Sequence, residues 1–183
     1  MSELLRVAIP FYTLLAVVAV GLAAWTGESM PILPAPSAGP MLRAVAIGLG
    51  MAAAVVGFSC FVSPRFAWGR ALARGLRELL GSVRPGDAFW LALFSSVGEE
   101  LFFRGALQPW VGWLPASVAF GLVHFGPRRD LLAWPVLAMS VGLLFGAAVE
   151  STGSILPALV AHFAVNWIEL SRLARVAPTA GRC

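Results

Sequence analysis

The chain is 183 residues long, 59% hydrophobic and 12% charged, with a mean hydropathy of +0.84 and a net charge of +4. A soluble domain carries roughly 25% charged residues, so a water-facing exterior is excluded and lipid must supply the surface. All 13 basic residues are arginines spread along the chain, which excludes a nucleic-acid face. The two cysteines, Cys60 and Cys183, offer neither a disulfide framework nor a CxxC metal spacing.

Taken in order, the apolar runs predict an all-α, polytopic membrane bundle of about six crossings, at roughly 4–26, 42–63, 87–107, 114–126, 131–149 and 154–173. The first run is of span length rather than signal-peptide length and reads as an uncleaved helix. Residues 1–63 form two accessory helices of a single membrane domain, and 87–173 form a four-helix core. Between them, in 64–86, Arg70, Arg74 and Arg77 recur at helical spacing beside Trp68, Leu72, Leu76 and Leu80. That pattern predicts an amphipathic helix at the headgroups.

Arginines cluster in the connection 64–86, at Arg128 and Arg129, and after the last span. The Pro-rich connection 27–41 and those near 108–113 and 150–153 hold none. This asymmetry predicts both termini in the cytoplasm, and the Ala- and Arg-rich, Lys-free usage points to a bacterial chain and so to the inner membrane. Asp130 is expected to cap the fifth helix and Ser154 the sixth, with Pro157 in its first turn. Pro135 is expected to kink the fifth, and Gly142 and Gly146 to let it pack closely.

Five sites inside the spans contradict their apolar surroundings: Glu99 with Glu100, Arg104, His124, His162 and Asn166. Each ionisable group at mid-bilayer costs at least about 2.5–3.5 kcal/mol to insert. At a rise of about 1.5 Å per residue, Glu99 and His162 lie about 12 Å, and His124 about 15 Å, from the outer ends of their helices. Polar groups of three helices thus share one depth. Glu100 and Arg104 are four apart and pair along one face, as His162 and Asn166 share a face of another helix. Glu99 is rotated by about 100° from Glu100 and is free to act.

A carboxylate in such a pocket, with an imidazole beside it, is a general base for water. Hydrolysis of an acyl bond also needs donors aimed at the oxyanion, which a His and an Asn on one helix face supply. Ser95 and Ser96 have no paired base, so water is the expected nucleophile.

The motifs Glu99–Arg104 (EELFFR), Phe120–His124 (FGLVH) and His162–Asn166 (HFAVN) resemble the EExxxR, FxxxH and HxxxN motifs of the CAAX protease and bacteriocin-processing family of intramembrane endopeptidases, in order and spacing. The resemblance implies that Glu99 and His124 activate water and that His162 and Asn166 form the oxyanion hole. Glu100 with Arg104 would hold the first glutamate and its helix, and Phe120 would pack one turn before His124. Members are linked to removal of prenyl-adjacent tripeptides, to bacteriocin maturation and immunity, and to trimming of C-terminal sorting helices, as in the myxosortase-like branch. The substrate expected here is the C-terminal segment of a membrane-anchored protein, cleaved without a cofactor. Zinc on Glu99, His124 and His162 is the alternative, disfavoured because no carboxylate is evident behind each histidine. Two rival functions share these residues. A non-catalytic binding or immunity protein has no need of both a base and an oxyanion pair. A proton-coupled transporter needs a polar path to both surfaces, and beyond the cluster only Ser95, Ser96, Ser117 and Ser140 suggest one.

Overall fold

The computed structural model describes residues 2–34, 37–81, 83–126 and 128–175, and the regular elements among them are helical. They are α1 (Glu3–Thr26), α2 (Ala38–Arg65), α3 (Ala67–Leu80), α4 (Pro85–Glu100), a π-helical stretch (Leu101–Leu107), α5 (Gln108–Val111), α6 (Trp113–Val123), α7 (Ala133–Thr152) and α8 (Leu156–Arg175). α4, the π-helical stretch and α5 form one continuous rod, corresponding to the third expected crossing. This is an all-α membrane bundle, as its sequence predicts.

α1, α2 and the segment Arg129–Thr152 are long and apolar enough to cross a membrane on length and composition alone. The other three expected crossings do not reach that measure. α6 has only 11 residues, and the α4–α5 rod and α8 carry the buried polar side chains. α1 exposes Val7, Phe11, Leu14 and Val17, an apolar face that lipid covers.

Packing places the rod at the centre. α1 lies along α4 and the π-helical stretch, α8 lies between α4 and α2, and α6 pairs with α7. The α6–α7 contact is close because Gly121 has no side chain: a Cβ there would stand 2.6 Å from Met139 Cβ and 2.8 Å from the Pro135 carbonyl oxygen. Neither atom can swing away. Gly121→Ala is therefore expected to lower stability by about 1–3 kcal/mol, read from unfolding in detergent; an unchanged melting curve would contradict this packing.

Several expectations change on contact with the fold. Asp130 does not cap α7, which starts at Ala133 with no side-chain cap. Its carboxylate is instead taken by Arg128, at 2.7 and 3.1 Å, an ion pair that outcompetes the cap. Pro135 falls in the first turn of α7, where the missing N–H is harmless, rather than at an internal kink. Ser154 does accept from the Leu156 N–H, at 3.1 Å, at the start of α8. The connection 27–41 is not a bare linker: the Pro31 carbonyl accepts from Ile155 N–H at 2.7 Å, and Ser154 Oγ donates to the Ile32 carbonyl at 3.1 Å.

α3 is the amphipathic helix expected at the headgroups. Phe66, Trp68 and Leu79 are exposed beside its arginines, while Leu72 and Gly75 face inward. Arg128 also binds Glu78 at 2.5 Å, clasping α3 to the α6–α7 connection. The clasp is exposed, so its role is to set the position of α3 rather than to add much stability.

Candidate active site

The site begins where α4 passes into the π-helical stretch. In an α-helix, residues four apart advance by about 40° around the axis; the wider π turns, closed by i→i+5 bonds such as Gln108 N–H to the Phe103 carbonyl, reverse that drift. Glu100, Arg104 and Gln108, each four apart, are therefore all buried, at 0%, 1% and 3% exposure. The expected pair forms: Arg104 Nη1 donates to Glu100 Oε1 at 3.3 Å, and Nη2 to the Gly142 carbonyl at 3.4 Å. The guanidinium lies over the Phe120 ring, 4.2 Å from its centroid.

Gly142 and Gly146 make room for this arrangement. A Cβ at Gly142 would lie 3.3 Å from Arg104 Nη2, and one at Gly146 would lie 3.1 Å from Gln108 Oε1. Their spacing thus serves packing, and Gly142 also supplies a carbonyl.

His124 stands one residue beyond the end of α6, not within a longer span as its sequence suggests. Its N–H bonds back to the Gly121 carbonyl at 3.1 Å, tightening the last turn. Its ring Nδ1 is 2.7 Å from the Phe120 carbonyl, one of the carbonyls that a helix end leaves unpaired. A carbonyl only accepts, so Nδ1 carries the hydrogen, and the neutral ring presents a bare Nε2. Trp134 meets the ring edge-on at 5.2 Å.

His162, on α8, gives Nδ1 to Glu100 Oε1 at 2.7 Å. Glu100 therefore holds two partners, Arg104 on its own rod and His162 across the bundle. One turn on, Asn166 Nδ2 donates to Ser95 Oγ at 3.0 Å, and Ser95 donates to the Ala92 carbonyl at 3.2 Å. Both Asn166 and Ser95 are thereby fixed.

Glu99 faces both imidazoles. Its Oε2 lies 3.8 Å from His124 Nε2 and 3.9 Å from His162 Nε2, is buried, and has no hydrogen-bond partner. A cavity of about 350 Å³ opens on it, bounded also by Asn166 and Trp134. Elsewhere its walls are mostly apolar and rich in leucine, including Leu76 and Leu80 of α3, with Glu169 among them. All the expected polar residues thus converge on one cavity, with Glu100, Arg104 and Phe120 behind it.

The donor types suit zinc, and the objection that no carboxylate backs the histidines is corrected for His162, which Glu100 holds at Nδ1. The spacing does not suit it. Ligands bound at about 2.0–2.1 Å in a tetrahedron stand about 3.3–3.4 Å apart, less than either gap to Glu99 Oε2. Among the described residues, no three His, Cys, Asp or Glu side chains are placed to share one ion.

Sequence reasoning missed four participants. Tyr12, the only tyrosine, lines the cavity from α1, and the one signal for it was a phenol in a mostly apolar run. Trp134 was unremarked. Gln108 donates to Glu150 Oε1 at 2.8 Å and to the Gly146 carbonyl at 3.1 Å. Gln108 extends the buried polar file beyond Arg104 to the exposed Glu150, so polar groups outside the cluster are not confined to serines.

The sequence of this core has known counterparts. A family model described as type II CAAX prenyl endopeptidase Rce1-like matches residues 83–168. The uncharacterized protein YpbD of Bacillus subtilis (strain 168) is 34% identical over 79 residues, which cover 42% of this chain and 40% of that protein. The match thus spans less than half the length of the curated relative. No solved structure matches the chain.

Proposed function

We propose, from the match of residues 83–168 to the Rce1-like CAAX endopeptidase model, that the chain is an intramembrane endopeptidase that cuts near the C-terminus of a membrane-anchored protein. The observation that carries the reading is the unpartnered Glu99 Oε2, facing two imidazole Nε2 atoms at the wall of an open cavity.

Glu99 Oε2 takes a proton from water, with His124 Nε2 as the second acceptor that orients it. The water oxygen bonds to the scissile carbonyl carbon as the C=O electron pair moves to oxygen. Asn166 Nδ2 has a second hydrogen beyond the one given to Ser95, and this donates to the oxyanion. His162 is the other donor. With Nδ1 committed to Glu100, it serves at Nε2 when its ring carries both protons. The carbonyl re-forms, the C–N bond breaks, and the proton held at Glu99 passes to the leaving amine. The steps run on side chains alone, and zinc would have to bring Glu99 and the histidines closer together than they stand. The leucine-rich wall suits an apolar substrate segment, and the volume suits a few residues rather than a folded domain.

Two experiments test this reading. The C-termini of membrane proteins are compared by mass spectrometry between the native host and a strain lacking the chain. Longer tails on particular proteins only in the deletion strain are expected; identical termini would remove the basis for an endopeptidase. Trimming in isolated membranes is also expected to persist undiminished in a strong chelator, whereas loss that added zinc restores would overturn the metal-free route.

A further inference from the structure

The roles proposed above all fall on the rod, α6 and the turn after it, and α8. The cavity wall also includes two polar side chains from outside the 83–168 segment, Glu169 just past its end and Tyr12. Tyr12 sits on α1, whose other face is apolar and lipid-covered. A phenol in such a place needs a hydrogen-bond partner, and the Glu99 carboxylate lines the same cavity. The backbone builds this approach in. A Cβ on Gly98 would stand 2.8 Å from the Tyr12 carbonyl oxygen and 3.0 Å from Tyr12 Cβ. α1 therefore meets α4 at the residue before Glu99, with Tyr12 at the point of contact. Glu99 Oε2 is turned to the two imidazoles, so Oε1 is the oxygen open to a hydroxyl from α1.

We infer that Tyr12 is a positioning residue: by donating to Glu99 Oε1 it fixes the rotation of the carboxyl and presents Oε2 to the water. The terminal torsion of a glutamate is broad, and a second anchor stops the two oxygens from exchanging places. The accessory helix α1 then belongs to the active site rather than serving only as an anchor. The inference rests on the role proposed for Glu99.

The test needs no substrate. Dicyclohexylcarbodiimide adds to protonated carboxyls in membranes, and its addition to Glu99 is mapped by peptide mass spectrometry against pH in the full chain, in Tyr12→Phe and in Gly98→Ala. A donated hydrogen bond favours the ionised carboxylate, so its loss is expected to move half-labelling of Glu99 about one unit higher in pH. His124, His162 and Arg104, which also face Glu99, are unchanged in these variants. Gly98→Ala, which drives α1 away, gives the same shift with the tyrosine still present. Labelling of Glu100, held by Arg104 and His162, stays where it is. Coincident Glu99 curves overturn the inference, and so does a shift shared equally by Glu100, which marks a loosened fold. Tail trimming by Tyr12→Phe is expected to slow about tenfold. If the wild-type chain trims no tail, the endopeptidase reading fails whatever the labelling shows. If it trims, and Tyr12→Phe trims as fast with coincident curves, only this inference fails.

Discussion

Glutamine at position 99 is expected to stop tail release while the protein accumulates in the membrane at wild-type levels. The carboxamide matches the carboxylate in size but has no lone pair basic enough to take a proton from water. A positioned general base contributes about 10²–10⁴ to a rate, so the ratio of trimmed to untrimmed termini should fall by that factor. Accumulation is spared because Glu99 is not a partner of Arg104, so its neutralisation strands no buried cation. The variant separates a cutter from a binder. A protein that only holds its target in the cavity keeps its phenotype with Glu99→Gln, and normal trimming by this variant would sink the mechanism.

Arg104→Met is expected to unfold more easily by about 3–5 kcal/mol, the cost of leaving a buried charge without its partner. Glu100 and Arg104 are among the most buried side chains of the protein, and the methionine reaches neither Glu100 nor the Gly142 carbonyl. The hydrophobic stem also loses the cation over the Phe120 ring. Unfolding in detergent and steady-state accumulation both report the loss. The double variant Glu100→Gln with Arg104→Met should recover part of it, since no charge is then stranded. A single variant as stable as wild type would mean that the pair does not hold the rod in place.

The parts of this site that were legible in the sequence are those fixed by one helix. Glu100 with Arg104, and His162 with Asn166, are neighbours because residues four apart share a face, whatever surrounds them. What joins helices was not legible. The bond from His162 to Glu100 crosses 62 residues of sequence and depends on how α8 crosses the rod. The π-helical stretch has no pattern of its own: LFFRGAL would serve equally in an α-helix, and only the burial of three polar side chains in file gives the wider turns a reason. Asp130 shows a local rule losing to a local competitor, since Arg128 claims the carboxylate that would otherwise cap α7. Tyr12 was hidden by its setting, one phenol among the 24 mostly apolar residues of α1, and its significance appears only where Gly98 lets the two backbones touch.

The file of Glu100, Arg104 and Gln108 leads from the cavity of Glu99 toward Glu150, which is exposed beyond it. A membrane that stores energy as a voltage is vulnerable to such a file, because each elementary charge that crosses dissipates about 2.3 kcal/mol per 100 mV. Arg104 stands in the middle. Its guanidinium keeps its proton, offers only N–H donors and has no lone pair to receive another, and its fixed positive charge repels a hydronium ion. The residue that anchors the rod is therefore also an electrical insulator. Water and a working base can then occupy the cavity at Glu99 while the bilayer keeps its charge.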